Sequence, residues 1–140
     1  MKRIAGLLLV LGISQAYANS GKQPVSASTK WKEECSSCHV AYPPEFLAAD
    51  NWQTLMGKLD KHFGANASLN AQDNKKILGY LLSHAGSGKQ NTAESLRISD
   101  TLWFRHRHRS IAPAEWTNPN VRSRSNCNGC HGKTVLGDGY

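Results

Sequence analysis

The sequence predicts a mostly α-helical protein arranged as two small lobes. Three observations carry that expectation. The readable apolar patterns have helical period, and strand-like alternation is scarce. A polar, glycine-containing stretch, GSGKQNTAES, interrupts the chain from residue 86 onward. A pentapeptide of one form, Cys-x-x-Cys-His, occurs once on each side of that interruption. It reads CSSCH at residues 35–39 and CNGCH at residues 127–131, and the two copies use all four cysteines.

The chain opens with Lys2 and Arg3, an apolar run over residues 4–13, and Ala16-Tyr17-Ala18. A charged head, a short apolar core and a small-residue cleavage site make a secretory signal peptide. The run is too short for a membrane span. Residues 1–18 are therefore expected to be removed, leaving a chain with no stable membrane insertion. Loss of Lys2 and Arg3 brings the net charge from +7 to about +5. A basic exported protein suits an anionic surface or an acidic partner, whereas nucleic acid is excluded by the compartment. The run RHRHR at residues 105–109 reads as a solvated helix face.

The remaining elements follow in order. STKWKEECSSCHVA reads as a helix with Ser28 or Thr29 as its cap, ended by Pro43 and Pro44. DNWQTLMGKLDKHFG reads as one helix from an Asp50 cap to Gly64, with Trp52, Leu55, Leu59 and His62 on one face. A third helix is expected over residues 70–85, with Ile77, Leu78, Leu81 and Leu82 inward. These elements make the first lobe, residues 19–86, and residues 87–96 are expected to be a flexible linker. The second lobe, residues 97–140, begins with SDTLWFRHRHRSI, a short helix capped by Ser99. Pro113 opens a further turn, SNCNGCHG forms a short helix, and the tail LGDGY carries no clear structure. Aliphatic residues are few in this lobe, so a bound group must supply much of its core. The two halves share nothing else, which excludes an internal duplication.

Four cysteines in an exported chain could form two disulfides, but a disulfide has no use for a histidine at a fixed offset. A thioredoxin-like centre carries one such motif within a βαβ pattern, which is missing here. Zinc sites more often close with His-x3-His spacing. Cys-x-x-Cys-His fits covalent c-type haem attachment: two thiols bind the haem edge and the histidine supplies the proximal iron ligand. Two copies with no cysteine left over predict two haem c groups. Cys35, Cys38, Cys127 and Cys130 are the attachment points, and His39 and His131 the proximal ligands.

His62, His84, His106, His108 and Met56 are the candidates for the opposite side of each iron. His62 lies on an apolar helix face. His84 sits near a helix C-terminus, where a solvated cation is favourable. Phe104, His108 and Ile111 have the spacing of a buried stripe, while His106 falls among arginines. Trp31, Trp52, Trp103 and Trp116 read either as walls against a haem or as ordinary core. Tyr42, Arg122 and Arg124 are candidates to hold propionates.

The strings WKEECSSCHVAYPPEFL, NWQTLMGKLDKHFG, ILGYLL, RISDTLWFRHRHRSI and SNCNGCHG, in order over most of residues 31–132, resemble the dihaem cytochromes c of bacterial periplasms. The resemblance implies a small electron-transfer protein, not an enzyme, with both irons held by two histidines. It places histidines at His62 and His108 and leaves position 106 variable. A crossed pairing, with His108 serving the first haem and His62 the second, stays open. The resemblance also implies partners such as a membrane cytochrome b or a soluble haem protein. The rival function is a haem enzyme or a gas- or peroxide-binding protein with one open iron position.

Overall fold

The computed structural model describes residues 25–132. The expected signal segment and cleavage site, and the tail LGDGY, lie outside the described residues. Five α-helices are present there: α1 (Ala27–Cys35), α2 (Ala49–Met56), α3 (Ala71–Ser83), α4 (Leu102–Arg107) and α5 (Asn128–His131), joined by 3-10 turns. Strand pairing among the described residues is limited to two isolated bridges, Ala48 with Gly86 and His62 with Ala65.

α1 is capped by Ser26, whose hydroxyl accepts from the Thr29 amide, rather than by Ser28 or Thr29. The helix stops at Cys35, well before the prolines. Ser36 and Ser37 turn their hydroxyls back onto the carbonyls of Lys32 and Glu34, at 2.5 and 2.9 Å, and so satisfy the helix end. α2 is also shorter than its apolar pattern suggests. It begins after Ala48 with no side-chain cap, while Asp50 occupies the first turn, where the helix dipole favours a carboxylate. It ends at Met56, Gly57 caps it, and the chain continues as a 3-10 turn over Leu59–Lys61. Trp52, Leu55 and Leu59 are nevertheless all buried, because both segments fold over the same core. α3 follows its sequence pattern closely, with Asn70 accepting from the Asp73 amide at 2.9 Å.

The core sits among α1, α2 and α3. Trp31, Leu47, Ile77 and Leu81 are essentially sealed, and Trp52, Met56 and Leu59 complete it. Beyond residue 96 the buried apolar side chains among the described residues are Phe104 and Val121 alone. That is the shortage of core expected for the C-terminal half.

Residues 87–96, expected to be flexible, are fastened down instead. The Asn51 side chain donates to the Ala93 carbonyl at 3.0 Å and accepts from the Ala93 amide at 3.1 Å. The Asn91 side chain donates to the Glu45 carbonyl, and the Ala48 amide donates to the Asn91 carbonyl, both at 2.9 Å. A Cβ on Gly86 would lie 2.2 Å from the Glu45 carbonyl oxygen, so this close approach requires glycine. Composition alone hid these contacts, because polar residues serve equally to solvate a loop or to dock it.

α4 is capped by Thr101, fully buried and accepting from the Phe104 amide, rather than by Ser99. Pro113 opens the next 3-10 turn as expected. Phe46 and Trp103 stack at 4.5 Å, joining the start of α4 to the turn before α2.

Candidate functional site

The first Cys-x-x-Cys-His is delivered by the end of α1. Cys35 is half-buried against the core, and Cys38 and His39 are exposed on the turn that follows. Nδ1 of His39 lies 2.7 Å from the Val40 carbonyl oxygen. A nitrogen facing a carbonyl carries the proton, which leaves the Nε2 lone pair free for a metal. His62 reaches the same place from the far side of the break at Gly57. It follows the 3-10 turn rather than ending a long helix, and Phe63 and Gly64 after it both have positive φ. The His39 and His62 rings are 6.0 Å apart and inclined by only 24°. Burial, then the charges of His39 and Arg97, pushes the His62 pKa down and favours the neutral, ligating form.

The second motif forms α5. Cys127 is half-buried; Cys130 and His131 are exposed. A Cβ on Gly129 would lie 2.9 Å from the Asn120 carbonyl oxygen and 3.0 Å from the Val121 Cα, so the motif sits directly on that backbone. His108 caps α4 and faces His131 with ring centres 5.9 Å apart and planes at 89°. Its Nδ1 is 3.0 Å from the Phe104 carbonyl oxygen, the same orienting bond that His39 makes. Phe104 stacks on His108 at 4.1 Å and Trp116 meets its edge at 5.8 Å. A cleft of about 220 Å³ opens beside them, bordered also by Ile111, Arg105, Arg109 and Arg124. Ile111 is 41% exposed, so the expected buried stripe is a cleft wall instead.

The residues present fit a haem iron at each place. Two His–metal bonds of about 2.0–2.1 Å, with about 1 Å from nitrogen to ring centre on each side, give a separation of about 6 Å. The observed 6.0 and 5.9 Å match it. The structure thus brings His39 beside His62 and His131 beside His108. The other cysteine chemistries fare worse. Burial pushes the Cys35 thiol up to about 11, with Glu34 adding to the effect, whereas reactive dithiols are shifted downward. Among the described residues, no group of three or more His, Cys, Asp or Glu is placed to hold a bare metal ion.

The other candidates lie elsewhere. His84 is exposed and its Nδ1 is 2.9 Å from both the Tyr80 carbonyl oxygen and the Ser83 hydroxyl. His106 is exposed, and Arg109 donates to its carbonyl. Met56 is 5% exposed within the core. Trp31 and Trp52 are core, Trp103 packs on Phe46, and Trp116 alone of the four borders the His108 cleft. Arg124 borders that cleft with its guanidinium 5.3 Å from the Trp116 ring centre, whereas Arg122 donates to the Pro119 carbonyl. Arg97, over the Phe63 ring at 4.2 Å, was not legible as a site neighbour, because 34 positions separate the two in the chain.

No curated protein matches the chain. The sequence profile of the family described as dihaem cytochrome c matches residues 31–138. A solved structure of DHC from Rhodobacter sphaeroides is 37% identical, with a TM-score of 0.65, over 75% of this chain and 90% of that one. A diheme cytochrome c from Shewanella baltica OS155 is 34% identical, with a TM-score of 0.68, over 81% of this chain and 89% of that one. The mostly helical fold expected from the sequence is the fold these structures share. With the profile spanning both Cys-x-x-Cys-His sites, the chain belongs to the dihaem cytochrome c family of electron-transfer proteins, which carry two haem c groups.

Proposed function

We propose that the chain is a periplasmic carrier of single electrons with no substrate chemistry of its own. His39 and His62 bind the iron of one haem, and His131 and His108 that of the other. Cys35, Cys38, Cys127 and Cys130 supply the covalent links. The observation that carries this reading is the pair of facing imidazoles at iron-spanning separation, one ring of each pair oriented by a backbone carbonyl. Haem supplies a one-electron couple when bound, and a second nitrogen ligand in place of a thioether keeps its potential low. Two histidines held to each iron would leave no position open to peroxide or a diatomic gas. Export rests on the N-terminal signal pattern.

The partners proposed are a membrane cytochrome b or a soluble haem protein. Charge supports an acidic docking face on such a partner. In residues 25–96 lysines and acidic residues are equal in number. In residues 98–132, Arg105, Arg107, Arg109, Arg122 and Arg124 are set against only Asp100 and Glu115, while Arg97 lies over Phe63 beside the first site. A partner therefore meets the positive side around the second site.

The test is to replace single histidines in the matured protein and record ferric spectra. His62→Ala and His108→Ala should each turn one haem high-spin and open it to carbon monoxide on reduction. His106→Ala and His84→Ala should leave both low-spin. A wild-type protein that binds carbon monoxide rapidly would instead support an open-site haem protein.

A further inference from the structure

Tyr42 touches both sites. Its ring stacks on His39, with centres 4.8 Å apart and planes inclined by 21°. Its hydroxyl donates to the Ser125 carbonyl at 2.5 Å, across 83 positions of sequence. Ser125 stands two residues before Cys127. Both ends of this link are braced. Pro43 and Pro44 follow Tyr42, are fully buried, and hold its backbone extended. On the other side, the Ser123 and Ser125 hydroxyls are hydrogen-bonded at 2.9 Å, and the Asn126 side chain donates to the Val121 carbonyl at 2.9 Å.

We propose that Tyr42 is a positioning residue that clamps the two haem-binding segments together and sets the rate of electron exchange between them. The proposal rests on the ligand assignment above in one respect, that the ring Tyr42 stacks on is an iron ligand. Coupling between sites travels through packed side chains and hydrogen bonds. Here that route is short: imidazole, phenol ring, hydroxyl, then the backbone that leads to Cys127. The step itself is internal, since one site loses the electron the other gains. The phenol keeps its proton and is neither oxidised nor reduced.

Two variants of the dihaem protein separate the parts of the clamp. Tyr42→Phe keeps the ring and loses the bond to Ser125. Tyr42→Leu loses the stacking as well. Three readouts are taken on each: the ferric spin state, the two midpoints in a redox titration, and the intramolecular exchange rate after rapid reduction. Tyr42→Phe should leave both haems low-spin while exchange slows several-fold. Tyr42→Leu should slow it further and shift the midpoint of the haem ligated by His39. Exchange at the wild-type rate in both variants overturns the proposal, even if thermal stability falls, because a merely structural tyrosine would behave that way. A wild-type protein with a high-spin haem would defeat the ligand assignment instead, and the exchange rates would still score the clamp.

Discussion

Asn51→Ala tests whether residues 87–96 are truly docked. The Asn51 side chain is 9% exposed and makes both hydrogen bonds to Ala93, itself 6% exposed. Truncation strands the Ala93 amide and carbonyl where water reaches them poorly. Each lost bond costs about 1–1.5 kcal/mol, rising toward 3 kcal/mol where the group stays unsatisfied. Alanine recovers about 0.5 kcal/mol through better helix propensity in α2. The net expectation is a loss of about 2–3 kcal/mol. With a urea dependence of about 1.5 kcal/mol per molar, the midpoint should fall by about 1.3–2 M. Unfolding is followed by circular dichroism and haem absorbance together, because a bound cofactor can break two-state behaviour. Coincident curves within about 0.3 M of wild type would refute the reasoning. They would mean that this segment hydrates as readily as it docks.

Two further outcomes are expected. The ferric protein should give two distinct low-spin electron paramagnetic resonance signals, since one imidazole pair is inclined by 24° and the other by 89°; two identical signals would contradict those ring orientations. Electron exchange with an acidic redox protein should slow steeply as salt is raised, because the attraction is screened within about 10 Å at 0.1 M, and Arg107→Glu should slow it at low salt. A rate insensitive to both would argue against docking through the arginine-rich side.

What the sequence by itself determined was chemistry carried by spacing. Cys-x-x-Cys-His holds its meaning over five residues, so both motifs and the haem count were legible without a fold. That His106 and His108 point to different faces was also legible, because residues two apart cannot share a helix face. Helix ends were less legible. The apolar stripe through Trp52, Leu55 and Leu59 ran on past the true end of α2, since a 3-10 turn buries the same residues after Gly57 stops the helix. Tertiary structure alone decided which histidine meets which, because pairing depends on how that break and the end of α4 aim His62 and His108. It alone fastened the polar stretch at Asn91 and Ala93 to the core, through side-chain amides of a kind that solvated loops carry too. It alone brought Tyr42 to Ser125 and Arg97 to Phe63, contacts between residues too far apart in sequence for any local pattern to join them.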